Sequence, residues 1–130
     1  GDQGIAVTAF SPLARGWLAG SKKVRSKNDD SFAVFHGDVL DLEIIAQVEG
    51  IASVHGATMA EVALAWVFSR EDICCPIVGA SSVNQLENNV GAMSLELSPD
   101  EIETLERLYR PRDVINDHAP VPMSRYVESN

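Results

Sequence analysis

Gly4-Ile-Ala-Val-Thr-Ala-Phe10-Ser-Pro-Leu-Ala-Arg-Gly16 is the stretch whose reading decides the fold. Ile5 to Phe10 is short, mostly apolar, and runs straight into Ser11-Pro12. That pattern predicts a strand buried on both faces, as in a parallel sheet. Ile73 to Val78 is the second strand candidate. Pro76 sits poorly inside a sheet ladder, so this strand is expected to be short and to start near it.

Helical signals fill the space around the two strands. From about Asp38 to His55, Leu42, Ile45, Val48 and Ala52 recur at helical spacing, and Ile44 and Ile51 widen the stripe. Gly56 is placed to cap this helix at its C-terminus. Thr58-Met-Ala-Glu61 is a capping box and opens a helix through Val62, Leu64, Ala65, Trp66 and Phe68, apolar enough to require burial. Ser82 with Gln85 suggests another capping box, with a short helix running to about Ala92. Ser98-Pro99-Asp100-Glu101 combines a cap, a Pro at the first position and acids in the first turn. Ile102, Leu105 and Leu108 give the apolar face of that last helix, with Pro111 as its expected end. Between the first strand and the first helix lies a loop from Ser11 to about Gly37, whose polar part, Gly20 to Asp30, is expected to be mobile. The order is strand, loop, two helices, strand, two helices. Residues 1–110 then form one unit and 111–130 an extended tail.

Composition excludes several functions. The 130 residues carry 19 acidic and 10 basic side chains, a net charge of −9. Nonspecific nucleic-acid and anionic-membrane binding both need a basic surface, so neither partner is expected. No apolar run approaches the ~20 residues of a spanning helix, and no secretory signal pattern is seen. The start at Gly1, without Met, fits a processed product or a fragment. Cys74 and Cys75 are adjacent and lack C-x-x-C spacing, so they read as two reduced, buried residues of a cytoplasmic protein. His36, His55 and His118 are far apart, so no metal site is expected.

In parallel α/β folds, ligands bind where strands end. Beyond the first strand, Phe10 offers an aromatic face, Ser11 a hydroxyl, Leu13 to Gly16 a run of backbone N–H groups, and Arg15 a charge. Beyond the second, Gly79 lets a ligand approach the backbone, and Ser81, Ser82 and the following helix start present donors to an anion. Taken singly, each has an ordinary explanation as a turn, a cap or a solvated side chain. Together they suggest one phosphate-bearing ligand that bridges both turns. No carboxylate stands out as a general acid or base.

In their order along the chain these segments resemble the aldo-keto reductases. The stretch from Gly4 to Gly20 is similar to the family's seventh strand and following loop. Ala57-Thr-Met-Ala-Glu-Val-Ala-Leu-Ala-Trp-Val67 resembles its seventh helix. Pro76-Ile-Val-Gly-Ala-Ser-Ser82 with Gln85-Leu-Glu-Asn-Asn89 resembles its eighth strand and cofactor loop, and Leu97-Ser-Pro-Asp-Glu-Ile102 its terminal helix. The resemblance implies an α/β fold, the C-terminal quarter of a (β/α)8 TIM barrel with an extra C-terminal helix and tail. It also implies NADP(H) bound in extended form and reduction of aldehydes or ketones.

Carried over by matching motif, Phe10 would stack near the nicotinamide. Ser11, Leu13, Arg15 and Gly16 would line the pyrophosphate. Gly79, Ala80, Ser81 and Ser82 would surround the adenosine phosphate with help from Gln85, and Asn88 or Asn89 would meet the adenine. Many members carry Lys or Arg in the Gly79 to Ser82 segment; this chain has only small and hydroxyl residues there, which leaves NAD open beside NADP. The family's catalytic Asp, Tyr, Lys and His belong to strands not in this sequence, so no reductase turnover is expected from the chain alone. A complete barrel takes ~250 residues and eight strands. The expected partners are therefore the cofactor and either the N-terminal part of a barrel or a second copy. A non-catalytic binding or assembly module of the same fold is the alternative.

Overall fold

The computed structural model describes residues 4–20 and 39–111, with backbone alone at 39–40, together with the backbone of 114–115 and 120–121. The readings of a mobile segment between Gly20 and Asp30 and of a long extended tail fall mostly on residues outside those ranges.

Strand β1 (Val7–Phe10) and strand β2 (Ile73–Ile77) pair in parallel, Phe10 opposite Ile77 and Ala9 opposite Pro76. The ladder slips by one residue between Val7 and Thr8. Parallel pairing follows the sequence reading, but burial does not. Val7, Thr8 and Phe10 are exposed, and so are Cys74, Cys75 and Ile77. Among the described residues only these two strands make up the sheet. A pair has no further strands beside it, so apolar side chains that a larger sheet would cover face outward. For the same reason Cys74 and Cys75 are free but exposed, not buried as expected. Pro76 also falls inside β2 rather than at its start, because a two-stranded ladder leaves an outer edge where no N–H is needed.

The packed part of the molecule is helical. Helix α1 (Val39–His55) buries Val48, Ile51 and Ala52, whereas Leu42, expected on that stripe, is exposed one turn before the packed region. Gly56 (φ +62°) ends α1 in the left-handed region, and the Ala57 N–H reaches back to the Ala52 carbonyl at 3.0 Å. Helix α2 (Met59–Phe68) starts on the expected capping box: the Glu61 N–H donates to Thr58 Oγ1 at 3.2 Å, and the Thr58 N–H donates to Glu61 Oε2 at 2.7 Å. It is the hub of the fold, packing against α1, β2 and both short 3-10 turns at 14–19 and 92–94. Val62, Ala63, Leu64, Ala65 and Val67 are buried on it, and Val62 and Leu64 almost completely. Phe68, at the end of α2, stays partly exposed.

Helix α3 (Val83–Gly91) follows β2 and packs on α2. Helix α4 (Pro99–Glu106) begins on the second capping box, Ser98 with Glu101, and places Leu105 in the core beside Val48, Ile51, Ala52 and Val62. It ends at Glu106, five residues before the Pro111 expected to stop it. Two polar contacts pin its ends. At the first, Glu101 Oε1 lies 2.7 Å from His55 Nε2, so His55 has a specific carboxylate partner as well as the end of α1. At the last, Glu106 Oε1 accepts from Trp66 Nε1 at 2.9 Å and from Arg70 at 3.0 Å, with the guanidinium 5.9 Å above the Trp66 ring. Beyond α4, strands β3 (Val114–Ile115) and β4 (Pro120–Val121) form a two-residue antiparallel pair that the sequence reading did not foresee. No single helix among the described residues is long and apolar enough to cross a membrane.

Candidate functional site

The turn leaving β1 is tightly wound. Ser11 (φ +52°), Ala14 (φ +47°), Arg15 (φ +55°) and Gly16 (φ +102°) all lie in the left-handed region. The Ala14 N–H bonds the Ser11 carbonyl at 3.0 Å and the Gly16 N–H bonds the Leu13 carbonyl at 2.9 Å. Two of the N–H groups expected to face a ligand are therefore used to close the turn itself, which narrows the donor set read from the sequence. A chain folded back on itself must satisfy its own carbonyls first. The side chains remain accessible: Phe10 is 83% exposed, Arg15 is exposed, and Ser11, Leu13 and Gly16 are half-buried.

The segment leaving β2 is more open. Gly79, Ala80, Ser81 and Ser82 are all exposed. Ser82, in extended backbone, caps α3 by accepting the Gln85 N–H at 3.2 Å. The other half of the expected box is absent. Gln85 Oε1 does not return to Ser82; it accepts from the Ser81 N–H at 2.8 Å and the Ser81 hydroxyl at 2.9 Å. The N–H groups of Val83 and Asn84 have no acceptor among the described residues. They belong to the open end of a nine-residue helix, where the backbone favours negative charge. A methyl group added at Gly79 would meet nothing within 4 Å, so the backbone there is open to a ligand.

Parallel register brings the two segments together. Because Phe10 sits opposite Ile77, both turns leave the same end of the sheet. Asn88 and Asn89 follow one turn into α3 and face differently: Asn89 is buried, only 7% exposed, and Asn88 is the more accessible. The sequence reading located the helix start as a donor site but did not identify Val83 and Asn84 as the owners of the unbonded N–H groups. The Ser82 cap was the signal that pointed to them.

Two of the cavities among the described residues differ in their relation to the turns. One, of about 540 Å³, touches the first turn only at Pro12, is otherwise bounded by Leu18, Val48, Trp66, Leu105 and Tyr109, and is lined by none of residues 79–89. The other, of about 930 Å³, lies where the strands begin, around Gly4 to Ala6 and Ser69 to Asp72. Ligands of parallel α/β folds gather at the opposite end. A carboxylate with a displaced pKa, Glu101, is also remote from the turns. Glu101 is held below the usual carboxylate range, first by the Ser98 backbone N–H and then by His55.

The chain matches the aldo/keto reductase family over residues 1–110 and belongs to that family. An aldo-keto reductase of Fusarium vanettenii is 35% identical over 119 residues, which is 87% of this chain and 32% of the fungal protein. A probable aldo-keto reductase 1 of Glycine max is 32% identical over 110 residues, 80% of this chain and 32% of the plant protein. The chain thus spans about a third of the length of these curated relatives. The family fold is a (β/α)8 barrel, and its members generally use NAD(P)H. The open backbone at Gly79 and the unbonded N–H groups of Val83 and Asn84 fit a phosphate-bearing group, and Phe10 offers an uncovered ring face.

Proposed function

We propose that this chain is the C-terminal quarter of an NADP(H)-dependent aldo-keto reductase and supplies the cofactor cradle, with the catalytic Asp, Tyr, Lys and His contributed from outside it. One observation carries the reading: the parallel register of β1 and β2, which sets the Ser11–Gly16 turn and the Gly79–Ser82 segment side by side. The exposed faces of both strands support it, since a barrel would cover them.

In this reading the nicotinamide ring, once bound, supplies hydride to an aldehyde or ketone. Phe10 gives that ring a flat apolar surface and fixes which of its faces is open. Ser11, Leu13, Arg15 and Gly16 border the pyrophosphate, where Arg15 adds positive charge. Gly79, Ala80, Ser81 and Ser82 surround the adenosine phosphate, and the Val83 and Asn84 N–H groups donate to it. Asn88 is the better placed of the two asparagines to reach the adenine edge, because Asn89 is turned into the chain. With no cation in residues 79–82, a 2′-phosphate is held by neutral donors and the helix end alone. Polarising the carbonyl and delivering a proton need groups outside this chain. The rest of a barrel is the partner that would cover the sheet.

The test is a titration with NADPH and, in parallel, NADH, following the fluorescence of Trp17, which lies in the turn after β1. Saturable quenching, stronger for NADPH, is expected. No saturation by either dinucleotide up to millimolar concentration would refute binding by this chain unaided.

A further inference from the structure

We propose that the cavity between α1, α2 and α4 is a binding pocket for an apolar amine, a molecule with a hydrocarbon or aryl body and one protonated nitrogen. Its volume of about 540 Å³ is that of an ordinary small-molecule site. It meets the first turn only at Pro12 and none of residues 79–89, so the inference stands apart from the cofactor reading. Leu18, Val48 and Leu105 give it an apolar wall, and Tyr109, 65% exposed, lines it where it meets solvent.

The polar groups of the cavity form one linked set, and its charge decides the ligand. Trp66 Nε1 and Arg70 Nη1 both donate to Glu106 Oε1, at 2.9 and 3.0 Å, and the guanidinium lies 5.9 Å above the indole ring. Arg70 is thus engaged by both a carboxylate and a ring face. The acceptors are less used. Glu106 Oε2 takes no hydrogen bond among the described residues. Asp72 faces Arg70 only at 4.0 Å, too far for a hydrogen bond. Both carboxylates reach solvent, and two of them against one guanidinium leave the polar wall net negative. The cations that follow, Arg107 and Arg110, are not among the walls, and Arg110 donates to the Arg107 and Tyr109 carbonyls instead. An entering ligand therefore has to bring donors and positive charge to this wall and apolar surface to the rest. An ammonium on a hydrocarbon body does both, whereas a carboxylate or phosphate of the same shape meets repulsion.

The experiment uses the 130-residue chain and three probes of nearly one shape: phenethylamine, phenethyl alcohol and phenylpropionate. Nitrogen–proton correlation spectra follow the Trp66 indole N–H, with the Ser81 amide as a control away from the cavity. Phenethylamine should shift the Trp66 signal saturably and leave Ser81 in place; the alcohol should bind more weakly and phenylpropionate not at all. Asp72→Asn should weaken the amine about threefold, the worth of one exposed ion pair, and narrow its lead over the alcohol. Ile44→Trp enlarges a half-buried side chain in the α1 wall and should abolish the shift. Thermal unfolding checks that this variant folds, and Asp72→Asn decides the matter if it does not. Equal binding of the amine and phenylpropionate, or no saturation up to the solubility of the amine, overturns the proposal. So does an amine affinity unchanged by Asp72→Asn. A Trp66 shift that grows with protein concentration and without any amine also overturns it, since a second copy of the chain would then be the occupant.

Discussion

Helix α2 and strand β1 are similarly apolar in sequence, yet the fold treats them in opposite ways. Five residues of α2 are buried, and Leu64 is 1% exposed. No residue of β1 is buried, and Phe10 is 83% exposed. The difference lies in their neighbours. The helix finds α1, α3, β2 and two short turns within this chain. The strand has one pairing partner, β2, among the described residues. Apolar sequence marks surface that needs covering; whether it is covered depends on what else is present.

The largest expected effect tests this contrast directly. Leu64→Ala should destabilise the chain by about 2–5 kcal/mol, the range for a buried leucine truncated to leave a cavity. Ile77→Ala, at a residue 54% exposed, should change stability by no more than about 0.5 kcal/mol. Urea unfolding of both variants measures it; a loss at Ile77 rivalling that at Leu64 would show that the sheet is covered in solution.

An intermediate effect concerns the polar pins of the helical layer. The Glu101 carboxyl is held below its usual range, chiefly by the Ser98 backbone N–H and then by His55. A carboxylate with a lowered folded-state pKa binds fewer protons folded than unfolded. Its stabilisation is therefore complete above the usual carboxylate range and is lost as pH falls through the lowered value. Urea midpoints recorded across the acid range should fall less steeply for Glu101→Gln than for the unmodified chain. Parallel curves would remove Glu101 as a source of acid sensitivity. The smallest effect belongs to the open loop. Gly79→Ala should alter stability by only a few tenths of a kcal/mol, since nothing lies within 4 Å of the added methyl. In the same protein NADPH affinity should drop, because the methyl fills the approach to the backbone. Calorimetric titration beside thermal unfolding separates the two responses.

Local features were the most legible in the sequence. The capping boxes at Thr58 and Ser98 involve residues three apart, so pattern and geometry coincide. The start of α1 and its Gly56 cap were equally readable. The parallel pairing was read from the apolar run of Ile5 to Phe10, although the burial that reading assumed is absent. Illegible features depended on distant partners. Nothing near His55 in sequence points to Glu101, 46 residues on, and nothing near Trp66 points to Glu106. Cys74 and Cys75 look like core residues because a free cysteine behaves as a small apolar side chain, yet both are exposed where no further strand lies beside β2 among the described residues. Gln85 matched a box by spacing, but its side chain is long enough to pass Ser82 and settle on Ser81. In the candidate site the residue types were readable, whereas the N–H groups of Ala14 and Gly16 spent on closing the turn became visible only in three dimensions.

The backbone of the first turn has one more consequence. Ser11, Ala14 and Arg15 hold positive φ with side chains attached, at a cost of about 1 kcal/mol each compared with glycine. For an engineer seeking a hardier protein, these would be the natural places to write glycine. Each such exchange would also erase a hydroxyl, a methyl or a guanidinium from the rim of the proposed cradle and loosen the turn that follows Phe10. In the proposed reading, the strain marks where a stabilised variant would trade cofactor binding for robustness.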